Sequence, residues 1–298
     1  MNRVDKMLVV LYLAFIGMLG VGQANSADEF TFTSIDFPAS IATMAFGINP
    51  VGDVVGRYHS ADGKVHGYVL SKGTYSSIDA PGAIFTLSID INARGEIVGR
   101  YIDTGGMVHG YLLSNGAFTT VDFPGAIFTR ASGINAKGMI VGNYEDTSGK
   151  FHGFLLNGGT FTTIDPPGSL FTVAPRINPQ GDIVGYYQSG DGNWHLFLLS
   201  EGNFTTIDPP GPLTLVPMMM PPGQNPGINP QGEIVGYYGG TDGNNHGFLL
   251  SDGNFTTMDF PAAVHTCNFG INPRGDIVGM YISADGKFHG YLATPTRR

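Results

Sequence analysis

Six histidines stand in one local setting, at His66, His109, His152, His195, His246 and His289, and six imidazoles in one chain raise the question of a metal centre. Zinc needs its ligands about 2.0–2.3 Å from a single ion. Each histidine opens a short run such as His109-Gly110-Tyr111-Leu112-Leu113, in which alternate residues share a face, so His109 lies with Tyr111 and Leu113. Copies separated by 43 residues or more belong to different structural units and do not converge on one ion. The pattern reads as a half-buried histidine tying its unit to a neighbour by hydrogen bonds. Asp36, Asp79, Asp122, Asp165, Asp208 and Asp259 recur before a Pro-containing corner, and Asn49, Asn92, Asn135, Asn178, Asn229 and Asn272 recur before a Gly turn. A side chain capping its own turn explains both sets.

Departures from the repeated columns carry more information. Two residues before each repeated Asn the series is Gly47, Asp90, Gly133, Arg176, Gly227 and Gly270, so opposite charges occupy two glycine sites. Five residues before it the series is Met44, Leu87, Arg130, Val173, Gln224 and Cys267, and His265 replaces Phe85, Phe128 or Phe171 in its own column. Two readings follow: a solvated wall with an Asp90–Arg176 or Asp90–Arg130 pair, or a polar ligand site. The segment Pro209 to Pro226 carries an eight-residue insertion with Met218, Met219 and Met220. Thioethers suit Cu(I), with His265 or Cys267 as further ligands, and they equally suit an adaptable apolar contact or simple loop packing. Consecutive residues of an extended run point opposite ways, which disfavours chelation, so no metal is assigned. The candidate ligand-binding set is Asp90, Arg130, Arg176, His265, Met218, Met219 and Met220.

The elements that position these residues follow from the repeat. Six copies at a period of 43, broken once by the insertion, indicate an array of identical units. Each copy holds four short extended runs, in the second copy Phe85 to Asn92, Glu96 to Asp103, His109 to Ser114 and Phe118 to Asp122. Asn-x-x-Gly joins the first two, an Asp-Gly tip such as Asp62-Gly63 the next two, and Asn115-Gly116 or its equivalent the last two. Four antiparallel strands in six copies predict an all-β fold, a six-bladed β-propeller. The lone run Phe32 to Asp36 is a fourth strand without predecessors, and His289 to Leu292 is a third strand without a successor. The first is expected to complete the last blade and close the ring, removing exposed edges. In a propeller the first strand of each blade lines the central channel, so the charged departures fall there, with a ligand expected at the channel mouth on the side of the second-to-third hairpins.

Residues 1–24 read as a secretory signal peptide, with Arg3 and Lys6 ahead of an apolar stretch from Met7 to Gly22 that is short for a membrane span. Residues 25–298 form one propeller domain with the Pro/Met-rich loop at 209–226. The formal net charge is −9, without a basic run, which argues against a nucleic-acid partner. The single Cys267 excludes an intramolecular disulfide. Gly-x-Ser-x-Gly, His-Glu-x-x-His and phosphate-loop motifs are missing, so no catalytic residue is assigned.

The unit Gly-Ile-Asn-x-x-Gly-Asp/Glu-Ile-Val-Gly, followed by His152-Gly153-Phe154-Leu155 and its counterparts, resembles the bacterial HAF-type extracellular repeat family. The fourth copy departs from it with His195-Leu196-Phe197. The resemblance covers Phe30 to Leu292 and implies a secreted, periplasmic or cell-surface bacterial protein, without lending catalytic residues. The expectation is a secreted binding or interaction module for an extracellular glycan or protein, not inserted in a membrane and without a cofactor. A calcium ion is conceivable but no motif supports it. The alternatives are a secreted hydrolase or lyase acting on a glycan or lactone at the channel mouth, and a structural envelope or matrix component.

Overall fold

A computed structural model describes residues 29–213 and 226–296. The expected leader at residues 1–24 and Met218, Met219 and Met220 lie outside them. The chain opens with β1 (Phe30–Ile35). The first repeat gives β2 to β5 (Ala42–Ile48, Val54–His59, Val65–Ser71, Thr74–Ile78), and the second β6 to β9 (Phe85–Ile91, Ile97–Ile102, Val108–Ser114, Ala117–Val121). The third gives β10 to β13 (Phe128–Ile134, Ile140–Glu145, Phe151–Asn157, Thr160–Ile164), and the fourth β14 to β17 (Phe171–Ile177, Ile183–Gln188, Trp194–Ser200, Asn203–Ile207). The fifth gives β18 to β21 (Gly227–Ile228, Ile234–Gly239, Asn245–Ser251, Asn254–Thr257), and the sixth β22 to β24 (His265–Ile271, Ile277–Ile282, Phe288–Pro295).

The fold is all-β, with a propeller-like arrangement of sheets. Four sheets have four strands each and a fifth has eight. The expectation of six separate four-stranded sheets differs at this point. Phe128 at the start of β10 pairs in parallel with Val108 at the start of β8, and this single pair joins the second and third repeats into one sheet. Within every repeat the ladders are antiparallel, and β1 completes the sheet of the sixth repeat by pairing Phe30 to Ile35 with Pro295 to Gly290 of β24.

Turn chemistry sets these ladders. Asn115 and Gly116 both adopt positive φ (50° and 79°), as a two-residue turn between twisted strands requires. At each Asn turn the side chain accepts two backbone N–H groups of its own loop, as Asn49 Oδ1 does from Val51 and Asp53. In the second, third, fourth and sixth repeats the same side chain also reaches the next repeat. Asn92 Nδ2 donates to Asn135 O (3.2 Å), Asn135 to Asn178 O (3.2 Å), and Asn272 to Asn49 O (3.3 Å), so the turns form a hydrogen-bonded girdle that passes from the last repeat to the first.

The first strands meet around a central axis, where one apolar cluster unites Met44, Phe46, Leu87, Ile89, Tyr237, Cys267, Phe269 and Met280. The glycine column explains how closely they approach. A Cβ on Gly47 would stand 2.7 Å from Ile89 O, and one on Gly133 2.7 Å from Pro175 O. Neighbouring backbones touch there, so only glycine fits.

Candidate functional site

Five of the first strands, β2, β6, β10, β14 and β22, carry a bulge just before the glycine column, between Ser88 and Asp90 in β6 and between Val173 and Arg176 in β14. A bulge re-aims the residue that follows it, and here Asp90 and Arg176 turn toward the axis. Arg176 crosses it. Its Nη1 donates to Ser132 O (2.6 Å) and Pro175 O (3.0 Å), and its Nη2 to Phe46 O (2.8 Å) and Ile89 O (3.2 Å). Those carbonyls belong to the third, fourth, first and second repeats, so one guanidinium ties four first strands together. Asp90 Oδ2 accepts the Ile134 N–H at 3.0 Å. Burial raises its pKa, and the Arg176 charge and backbone N–H groups oppose that rise. Both residues line a pocket of ≈ 90 Å³ at the Asn-turn end of the axis. Ligand pockets run to about 300–1,000 Å³, so this mouth is too small for a sugar.

Arg130 sits at a second level with two residues that the sequence reading passed over. Arg57 and Arg100, eight residues after Asn49 and Asn92, pair in register with Met44 and Leu87, the counterparts of Arg130. All three arginines are buried, at 6 %, 3 % and 4 % exposure for Arg57, Arg100 and Arg130. Burial lowers their pKa to about 10, 10 and 9, and the charges of Arg57 and Arg100 help to lower that of Arg130. Arg57 Nε donates to Met44 Sδ at 3.3 Å, and Arg100 lies over the Phe85 ring at 5.4 Å.

His265 stands apart from both levels, at the hairpin-side start of β22, where its Nδ1 accepts the Asn245 N–H at 3.0 Å. Cys267 is fully buried in the axial cluster, and burial pushes its thiol well up. The candidate set is thus divided: Asp90 with Arg176, Arg130 with two further arginines, and His265 alone.

The repeated histidines have a different partner from the one expected. In five of the six copies Nδ1 meets the Asp thirteen residues on, at 2.8 Å for His66–Asp79, 2.7 Å for His109–Asp122 and 2.6 Å for His152–Asp165, and in the sixth His289 meets Asp36. The bond ties third strand to fourth within one repeat because the fourth strand returns alongside the third. Each imidazole also packs on a second-strand tyrosine, as His109 does on Tyr101 at 5.0 Å.

Those tyrosines differ among repeats. Phe37, Phe123 and Phe260, arriving on the connection from the preceding fourth strand, stack face to face on Tyr58, Tyr144 and Tyr281 at 3.7, 3.6 and 3.7 Å. The Gly211 segment lies against Tyr238. In the second and fourth repeats Ala80 and Pro166 take the place of the phenylalanine, and Tyr101 and Tyr187 are only half-buried. On the same connections Ile41, Ile84, Ile127, Leu170 and Val264 stand exposed, ahead of the first strands of the first four repeats and the sixth.

The sequence matches no protein-family model and no curated protein. Solved structures do resemble the fold. The fucose-specific lectin from Aleuria aurantia aligns with a TM-score of 0.55 at 11 % identity, covering 86 % of this chain and 93 % of that one. AofleA from Arthrobotrys oligospora gives 0.51 at 15 %, covering 93 % and 87 %. TolB from Acinetobacter baumannii gives 0.54 at 14 %, covering 92 % of this chain and 66 % of TolB. At these identities the likeness is one of fold, a β-propeller that other chains use as a binding module.

Proposed function

We propose that the chain is a secreted six-bladed propeller that binds glycans on its hairpin face. The blade count rests on five repeats of four strands and a sixth of three that β1 completes, two of the repeats sharing a sheet through one parallel pair. The export reading rests on the leader pattern of residues 1–24 and on the resemblance to extracellular HAF repeats.

The half-covered faces of Tyr101 and Tyr187 carry the glycan reading. Phe37 on Tyr58 shows what fits such a face, a flat apolar surface at 3.7 Å with an interplanar angle of 1°. The C–H face of a pyranose is such a surface, and the nearby hydroxyl, imidazole and carboxylate groups hydrogen-bond its hydroxyls. Tyr101 Oη contacts Thr120 Oγ1, and His109 lies between Asp122 and Asp103, which fixes these groups in place. Lectin propellers in complex with fucosides, such as SapL1 with alpha methyl fucoside (TM-score 0.54, 14 % identity), support a sugar as the ligand class.

A glycan array followed by titration tests the reading. Two sites per chain are expected, and Tyr101→Ala with Tyr187→Ala should weaken binding at least tenfold, about 1.4 kcal/mol. Ala80→Phe with Pro166→Phe should block the same sites by supplying the missing ring. Glycan binding that survives both pairs of changes would refute it.

A further inference from the structure

The outer strands carry a departure from the repeat that has no part in the glycan sites. Each fourth strand holds the same three positions: Thr31-Phe32-Thr33, Thr74-Tyr75-Ser76, Ala117-Phe118-Thr119, Thr160-Phe161-Thr162, Asn203-Phe204-Thr205 and Asn254-Phe255-Thr256. The central ring and the following hydroxyl belong to the repeat. Asparagine at the first position does not, and in the fourth and fifth repeats it creates Asn-x-Thr, the acceptor sequence for N-linked glycosylation. No other asparagine of the chain is followed two residues later by Ser or Thr. Both copies also bring an acid two residues ahead, so that each reads Glu/Asp-Gly-Asn-Phe-Thr.

The fold gives this sequence the setting an acceptor needs. Each asparagine directly follows a two-residue turn of positive φ, 51° and 81° at Glu201 and Gly202, 50° and 76° at Asp252 and Gly253. The ladder restarts at once, Asn203 with Ser200 and Asn254 with Ser251. Alternate residues of a strand share a face, so the Asn carboxamide and the Thr hydroxyl stand on one side. The ring between them turns inward, Phe204 against Phe197 at 5.5 Å and Phe255 against Phe248 at 5.2 Å. Asn203 and Asn254 are exposed. Their amides hold only a carbonyl of their own turn, Glu201 O at 3.4 Å and Asp252 O at 3.2 Å. β17 and β21 are the end strands of their sheets. Their turns lie at the Asn-turn end, where Ser200 Oγ donates to Asp182 and Ser251 Oγ to Glu233, away from the hairpin face.

We propose that Asn203 and Asn254 are N-glycosylation sites of the exported chain. The carboxamide nitrogen bonds to the anomeric carbon of an oligosaccharide carried on a lipid diphosphate. The bond from that carbon to the diphosphate oxygen breaks, its electron pair leaves with the lipid carrier, and the nitrogen gives up one proton. Modification requires the export read from residues 1–24, because donor and transferase belong to that route. The attached sugar is bulky and solubilising. It covers a strand edge, where another chain could otherwise pair, and leaves the glycan-binding face open.

The test expresses the full chain with its own leader in cells that hold an N-oligosaccharyltransferase on the export route, beside a known acceptor protein as control. The intact mature chain should weigh in with two oligosaccharides. Asn203→Gln and Asn254→Gln should each remove one. Thr205→Ala should remove the first with its asparagine still in place, and Thr205→Ser should keep it. An exported, processed chain of unmodified mass, with the control glycosylated in the same cells, overturns the proposal. A chain that stays inside with its leader uncut refutes the export reading instead. Purified protein, transferase and lipid-linked oligosaccharide then decide, and transfer to neither asparagine overturns the sites.

Discussion

His289 Nδ1 and Asp36 Oδ1 lie 2.9 Å apart across a sequence separation of 253 residues. Five other copies of this pair form within 13 residues, so the sixth is the same local bond made between the two ends of the ring. It seals the strand pairing of β1 with β24, and Asn272 repeats the closure at the Asn-turn end.

Deleting residues 29–38 should therefore open the ring. The loss of a six-residue strand and of the Phe37 stack is expected to cost several kcal/mol, a large part of a typical stability, and to bare the edge of β24. Asp36→Ala alone should cost about 1 kcal/mol. A truncated protein that melts at the wild-type temperature and stays monomeric on sizing would contradict the closure.

Arg176→Met should be among the most damaging single changes, at about 3–5 kcal/mol, because it strands four inward carbonyls and leaves Asp90 without its compensating charge. Asp90→Asn in the Arg176→Met background should recover part of the loss. Urea unfolding of the two single variants and the double gives the coupling, expected at about 0.5–3 kcal/mol. Additive effects would mean that the two charges ignore each other.

Gly133→Ala should destabilise by about 2 kcal/mol or more, since the new methyl meets Pro175 O at 2.7 Å and Arg176 Cα at 3.0 Å, both backbone atoms. Gly190→Ala, where a Cβ meets nothing, is the control and should be near neutral. Equal melting temperatures for the two variants would show that the first strands can separate freely.

Stability should also fall on both sides of a middle pH window. Burial alone lowers the pKa of His246, but hydrogen bonds to Asp259 and Asp242 outweigh it and raise the value above 6.5. A raised folded pKa gives stability that is full below about 6.5 and fades as pH climbs through the folded value. Asp242 runs the other way: the Asn244 N–H, the Asn244 side chain and His246 hold its pKa down to about 2. Its contribution is present above the ordinary 3.8 and is lost as pH falls toward 2. Melting curves from pH 3 to 9 should show a shallower alkaline decline in His246→Asn with His109→Asn, since His109 is raised in the same way. Superimposable alkaline limbs would remove the histidines from the account.

Strand order and ring closure could be read directly because a 43-residue period repeats every turn residue, and Asn115-Gly116 needs no tertiary context to turn. The glycine column at Gly47 and Gly133 was visible, but its cause was not, since it lies in contact between first strands of adjacent repeats on the axis. Asp90 and Arg176 stood out as charges on glycine sites. Arg57 and Arg100 did not, although the column eight residues past each Asn runs Arg57, Arg100, Asn143, Tyr186, Tyr237, Met280 and is as irregular as the first-strand column. The departures were sought only in the columns ahead of each Asn, on the first strands, and this column lies behind it. The constant offset of 13 from His to Asp was equally present, and only the hairpin geometry turns it into a bond within one repeat.

Thr296 N donates to Glu29 O at 2.8 Å, so the two ends of the described chain are hydrogen-bonded neighbours. The molecule thus has the connectivity of a circle that happens to be cut between its outermost strand and the rest. Joining residue 296 to residue 29 through a short linker and opening the chain at Lys72-Gly73 would preserve every ladder while moving the seam. The pairing of β1 with β24, now the longest loop to close, would become local, and since loop closure and contact order set folding speed, such a permutant should shift the slow step of assembly to whichever repeat is newly divided.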